Sequence, residues 1–383
     1  MAPRKPAWIG FPINIMGASL RLAINQWIDC VGDVQALDPL SFDKTMADLQ
    51  ELNRNKDIKA IEQMLYNHLP VPDRLDAFSY EESLAAMRDL GIFIGILKRW
   101  GVEPVESIPE LEYVLLVLQV KTGLPPRDTL IHYTMWNPDG ERTRSYTGLH
   151  DEIHLINSVK IAYPSLLKSI GILEQLHTEA IESELFSTLC DEVHDLMTAM
   201  VNGVVHAKRN VSPALFANEL RFYFEPIKVD YNKEYIGPGA VEMPMFVFDH
   251  LLWSSDIADK SYNTFKETYL DYNLSLIRDI YWQAARTPSL VTKVAQSLES
   301  NPTPGTIKSA ESVLKLYTIL KSFRMPHRKL ANDSYQQGEE HHKKNGSGGY
   351  EVGILDFILQ LQALRFEPLH EALLNLKPIM VLK

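Results

Sequence analysis

The chain has 383 residues, 45% of them apolar and 23% charged, enough for one large domain or two with ample core. The formal net charge is -11 and no basic patch or stripe stands out, so nucleic acid is not an expected partner. Two cysteines, Cys30 and Cys190, lie far apart; that argues against a disulfide framework, a zinc finger or an iron–sulfur cluster and fits a reducing cytoplasm.

Near the N-terminus, Arg4 and Lys5 precede an apolar run from Trp8 to Leu20. Pro12 and Asn14 interrupt it and no clean small-residue cleavage site follows, so no secretory signal is expected. Nothing else approaches the ~20 uninterrupted apolar residues of a membrane span. From about Asp43 to Thr122 the pattern is helical. Ser79-Tyr80-Glu81-Glu82 is a capping box, Leu84, Met87, Leu90, Ile94 and Leu97 form an apolar stripe, and Gly101 marks the stop. A second helix starts near Ser107 or Pro109 and ends at Gly123. Residues 1–123 are therefore expected to form a small helical domain, with Leu124-Pro125-Pro126 as the boundary to a larger helical domain over 124–383.

Asp128–Trp136 reads as either a short strand or an extended connection. A long helical region follows from Asp151 to about His206, and Ser212-Pro213 opens another helix, serine as N-cap and proline in the first turn. The loop Tyr235–Ala240 holds Gly237, Pro238 and Gly239 in a row, so its backbone, through Ala240, is able to lie close to a flat ligand. Phe246–Trp253 and Thr264–Ala285 read as helices, Asn301–Gly305 as a turn, and Leu355–Leu376 as the closing helix. With so little strand content the fold class is all-α.

Three constellations bear on chemistry. His150 and His154 stand four apart on one helical face beside Asp151 and Glu152. The pair reads either as metal ligands or as a solvated helix start, and the order of a zincin motif is absent. Glu339-Glu340-His341-His342 reads as a solvated charge run. The third is the stretch from Val313 to Glu351. Val313, Leu316, Leu320 and Phe323 recur at spacings of three and four, and His327 follows on the same apolar face. Such an imidazole is either a core histidine bonded to a carbonyl or an axial ligand to haem iron. Pro326 removes a helical donor and is expected to bend the helix there. Beyond Tyr335 the composition turns polar, predicting a loop that closes on Gly346-Ser347-Gly348-Gly349, where the backbone is able to approach a ligand closely. No strand precedes it and no lysine follows, which excludes a phosphate cradle.

The arrangement resembles the haem-dependent indole oxygenases, the indoleamine/tryptophan 2,3-dioxygenase-like superfamily, and within it the monodechloroaminopyrrolnitrin synthase family of pyrrolnitrin biosynthesis. The matching segments are LNRNKD (Leu52–Asp57), AAMRDLG (Ala85–Gly91), LPPRDTL (Leu124–Leu130), RSYTGL (Arg144–Leu149), GPGAVEMP (Gly237–Pro244), FKETYL (Phe265–Leu270), PHRKLA (Pro326–Ala331) and GSGGY (Gly346–Tyr350). What the resemblance implies is an all-α, two-domain helical fold with haem b in the larger domain and His327 as proximal iron ligand. It further implies Gly237, Gly239 and Ala240 beside the haem, and Phe216 and Arg221 stacking on the indole and pairing with the substrate carboxylate. Tyr335, Ser347 and Gly348 would hold the amino-acid end. On the distal side His154 is a candidate to meet bound oxygen or the indole N–H, with His150, Asn157 and Ser158 as alternatives. The implied reaction is an oxidative rearrangement of tryptophan or 7-chloro-L-tryptophan to an aminophenylpyrrole, using dioxygen or peroxide and an electron donor. Ala217, where the dioxygenases have a second phenylalanine, favours this chemistry. Two other readings stay open: ring cleavage to N-formylkynurenine, and a non-catalytic haem or indole sensor.

Overall fold

The structure, a computed structural model, describes residues 17–285, 287–338 and 353–380. The protein is all-α. Among the described residues the strands are Ile227–Val229 and Lys233–Tyr235, an antiparallel hairpin pairing Ile227 with Tyr235 and Val229 with Lys233.

The Tyr80–Arg99 helix is the axis of the first part of the molecule. Its capping box forms as expected: Ser79 N–H donates to Glu82 Oε2 at 2.7 Å and Glu82 N–H to Ser79 Oγ at 3.1 Å. Gly101, at φ 77°, follows its end. The five-residue stripe understates its burial, for every residue from Ser83 to Leu97 is buried. The helix runs between two apolar clusters, giving Leu84 and Ala85 to one and Met87, Leu90, Phe93 and Leu97 to the other. Even Arg88 and Asp89 are buried, which they tolerate as a 2.8 Å ion pair whose guanidinium also donates to the carbonyls of Val34, Leu37 and Trp136.

Several sequence readings change at the level of elements. Asp128–Trp136 is neither a strand nor extended: Leu130–Tyr133 makes a helical turn, because His132 Nδ1 takes up the Thr129 N–H at 3.1 Å and no neighbouring strand is needed. The Asp151–His206 region is two helices, His150–Leu176 and Glu184–Asn210, packed against one another, with Ser183 capping the second through the Phe186 N–H. Thr264–Ala285 likewise divides into Lys260–Leu270 and Ser275–Ala284. Phe246–Trp253 starts as an α-helix at Met245 and widens into a π-turn over His250–Ser254. The Pro304–Gln337 helix runs on through Pro326, and the polar segment after Tyr335, read as a loop, stays helical to Gln337. The Gly353–Met380 helix packs on it. Both cysteines are free, Cys190 buried and Cys30 exposed. No helix of the described residues is long and apolar enough to cross a membrane.

Candidate active site

A mainly apolar cavity of about 380 Å³ opens between the two long paired helices and the Pro304–Gln337 helix. One wall comes from the pair. Leu155, Ser158, Val159 and Ala162 line it from the first helix and Met200, Gly203, Val204 and Ala207 from the second, each set at the spacing of one helical face. Ser158, Ala162, Gly203 and Ala207 of this wall are small, and the two helices approach closely there. A Cβ on Gly203 would sit 2.6 Å from the Ser158 carbonyl oxygen and 3.3 Å from the Ala162 Cβ.

The facing wall is a single stripe of the Pro304–Gln337 helix: Phe323, Arg324, His327, Leu330, Ala331, Ser334 and Tyr335. His327 stacks on Phe323, ring centroids 5.6 Å apart and 10° from parallel. Burial, with the Arg324 cation adding to it, holds the His327 pKa down at about 4, so the imidazole is neutral at neutral pH. Beside it Arg324 pairs with buried Asp249 and also reaches Gln362. Asp249 further accepts from Trp253 Nε1 at 2.8 Å and Tyr262 Oη at 3.2 Å, so three further side chains, Gln362 among them, fix this ion pair at the cavity wall.

A third side is made by Phe216, Ala217 and Arg221, from the short Pro213–Asn218 helix and the turn after it, together with Pro238–Val241. Asn218 Nδ2 donates to the Gln337 carbonyl at 3.0 Å and ties this side to the end of the histidine helix. Burial lowers the Arg221 pKa and the nearby Tyr335 phenol opposes that, which marks the two as neighbours. The Pro238–Val241 segment is fixed by buried Glu242, which accepts from Leu130 N–H at 2.6 Å and Gly239 N–H at 3.3 Å.

The family model of monodechloroaminopyrrolnitrin synthase, PrnB, matches residues 33–373. The chain belongs to the monodechloroaminopyrrolnitrin synthase family. It is a family of enzymes of pyrrolnitrin biosynthesis.

Of the residues singled out in the sequence, the PrnB-family cavity brings together His327, Phe216, Arg221, Tyr335, Gly239 and Ala240. Gly237 stands behind the lining, where a Cβ would meet the Phe224 carbonyl oxygen at 2.5 Å; its role is close backbone packing. His154 does not line the cavity. Leu155 and Ser158 occupy the inward face of that helix, while the His154 ring turns away to His206 (2.9 Å) and His150 (2.9 Å). Among its named alternatives Ser158 does line the cavity, with its hydroxyl donated to the Leu155 carbonyl. Ser347, Gly348 and the His341-His342 run lie outside the described residues.

Sequence reading missed Arg324, Asp249 and Gly203. Arg324 was within reach, since it precedes His327 by one helical turn on the same face. Asp249 and Gly203 carried no local signal.

The residues fit a haem. Among the described residues no group of three or more His, Cys, Asp or Glu could hold a metal ion. The neutral imidazole and the apolar lining together suit an apolar group with one axial ligand.

Proposed function

We propose that this protein binds haem b through His327 and oxidatively rearranges tryptophan or 7-chloro-L-tryptophan to an aminophenylpyrrole of the monodechloroaminopyrrolnitrin type. The observation that carries the proposal is a neutral imidazole on one apolar wall of the cavity, with an arginine and an aromatic ring on the adjoining side. Family membership supplies the product class.

In this reading haem supplies the activation of dioxygen or peroxide when bound. His327 offers its nitrogen lone pair, which a pKa of about 4 leaves unprotonated. Arg221 has the planar fork that binds a carboxylate through two parallel hydrogen bonds, and partial burial strengthens that contact. Phe216 offers a ring face to the indole. The Tyr335 phenol, near Arg221, is suited to the amino-acid end as a hydrogen-bonding group that adds no charge to a dry pocket. Ser347 with Gly348 completes the set in this proposal. Positioning matters because the indole ring must open, the side-chain amine must close the pyrrole and the carboxylate must leave as carbon dioxide, and a misplaced indole reacts at the wrong carbon. Ala217 in the lining leaves room where a second phenylalanine would narrow the pocket, which favours rearrangement over ring cleavage to N-formylkynurenine.

The test is direct. Purified protein should show a Soret band, and His327→Ala should lose most of it while keeping its helical circular dichroism. Reduced protein given L-tryptophan and 7-chloro-L-tryptophan should yield products with the mass of the aminophenylpyrroles. A full Soret band in His327→Ala, or N-formylkynurenine as the sole product, overturns the proposal.

A further inference from the structure

Starting from Tyr133, which with Phe224 lines the cavity, three tyrosines are stacked in a column leading away from it. Tyr133 and Tyr146 have ring centroids 5.1 Å apart at 21°, and Tyr146 and Tyr223 4.7 Å apart at 10°. The middle ring lies flat against the Tyr80–Arg99 helix because Gly95 has no side chain; a Cβ there would collide with it.

Each end of the column has a carboxylate on its hydroxyl. Tyr133 donates to Glu152 Oε1 at 2.8 Å and Tyr223 to Glu219 Oε1 at 2.9 Å. Glu152 is fully buried and is held as an acceptor by the Tyr146 N–H (2.6 Å), the Thr147 N–H (2.8 Å) and the Thr147 hydroxyl (2.5 Å) as well. The Tyr146 hydroxyl is buried with no hydrogen-bond partner. Packing alone does not account for that hydroxyl, since phenylalanine would give the same stack without burying an unpaired polar group. Tyrosine and phenylalanine differ chiefly in that only the former is readily oxidised by one electron.

We propose that Tyr133, Tyr146 and Tyr223 form an electron relay that reduces an oxidised haem in the cavity when no substrate is present. The proposal rests on the haem reading above. The oxidant is hydrogen peroxide, which takes two electrons and, with two protons from solvent, gives two waters; the relay supplies one of these electrons in a single passage and the haem the other. Tyr133 gives an electron to the cavity side and its phenolic proton to Glu152. An electron from Tyr223 then crosses the Tyr146 ring to Tyr133, which recovers its proton from Glu152. The Tyr223 proton passes to Glu219. The net change is one electron delivered, a neutral radical on Tyr223 and a proton on Glu219. Tyr146, without a proton acceptor, is a bridge and not a resting place. The hole stops at Tyr223. Asn53 joins the Tyr223 hydroxyl (3.0 Å) to Trp100 Nε1 (2.8 Å), but Lys56 and Arg99 each lie 4.6 Å from the Trp100 ring and disfavour a positive charge on it.

The test uses the haem-loaded full chain, verified by its Soret band, mixed with hydrogen peroxide without substrate and freeze-quenched for electron paramagnetic resonance. The expected signal is an organic radical that narrows when the protein is made with ring-deuterated tyrosine. Tyr223→Phe should lose most of it. Tyr146→Phe, which removes no hydrogen bond, should also lose most of it with its Soret band unchanged. Tyr163→Phe, another buried tyrosine with an unpartnered hydroxyl but outside the column, should keep it. Equal radical yield in Tyr146→Phe and Tyr223→Phe overturns the relay alone. Absence of a Soret band in the wild-type protein overturns the haem reading and the relay with it.

Discussion

At the scale of single residues, charge state and pairing decide what the cavity offers its ligand. Arg221 has its guanidinium half-buried on the side next to Tyr335. Arg221→Leu should weaken tryptophan binding by about 1.5–3 kcal/mol, the range for a hydrogen bond to a charged group, and should leave the Soret band in place. Titration of the haem-loaded protein with tryptophan checks this, and unchanged affinity would return Arg221 to a structural role. Asp249 is the residue on which the Arg324 charge depends. Asp249→Asn keeps the shape but leaves a buried guanidinium without its counter-ion, a loss of about 3–5 kcal/mol when one partner of a buried pair is removed. Urea unfolding reads this as a lower midpoint with an unchanged slope.

At the scale of elements, the cavity exists because two helices approach closely on one side and a third runs past on the other without breaking. Gly203 sets the close approach. Gly203→Ala forces its new methyl onto the Ser158 carbonyl, which is backbone and has no rotamer to yield, so the helices must separate. Overpacking of this kind costs about 1–3 kcal/mol. Thermal unfolding should show the loss, and haem uptake should fall with it; undiminished stability would mean that the pair gives way more readily than its backbone contact implies. On the opposite wall, His327, Leu330, Ala331, Ser334 and Tyr335 recur at helical spacing beyond Pro326, and continuity through Pro326 is what keeps Phe323 and Arg324 on the same wall as His327. A helix broken at Pro326 would not hold that stripe in line.

At the scale of the whole molecule, buried titratable groups set the acid limit of stability. His132 is held at about 3, His177 at about 4 and His250 at about 2, each mainly by burial and then by a neighbouring cation, Arg88, Lys293 and Lys266 in turn. Their ordinary value is 6.5. Below it the unfolded chain binds protons that the folded one refuses, so this stability is complete above 6.5 and falls as pH drops toward the folded values. Glu152, Glu174 and Glu242 act in the opposite sense. Burial raises their pKa above the ordinary 4.5, so above that value the folded state keeps protons the unfolded one releases, and their contribution is lost as pH rises through the folded values. The two sets oppose one another between 4.5 and 6.5. Below 4.5 the glutamates are protonated in both states, and the histidines are joined by Asp43 and Asp256, whose pKa values stay lowered: burial works to raise them, but hydrogen bonds from arginine, serine and threonine side chains prevail. The urea midpoint should therefore fall steeply only below about 4.5. A fall already complete above that pH would show that the histidines are not buried neutral.

The sequence alone determined the helical class, the capping box at Ser79, the apolar stripe leading to His327 and the chain's likeness to its family. All of these rest on local periodicity or on short ordered segments. It placed Phe216, Arg221, Tyr335, Gly239 and Ala240 in one site through that likeness. It did not tell whether His154 or Ser158 lines the cavity, because which face of a long helix turns inward depends on the helix beside it: here the partner presents Gly203 to Ser158 and His206 to His154. The breaks between paired helices were equally out of reach, since both halves share the same periodicity and the turn is stabilised by what packs over it. Tertiary structure alone decided that Asp249, at the end of the Met245–Asp249 helix, meets Arg324, and that Tyr133, Tyr146 and Tyr223 stack. Those contacts join residues far apart in the chain, and burial, which gives an ion pair or a stacked ring its energy, belongs to the folded molecule and to no stretch of sequence.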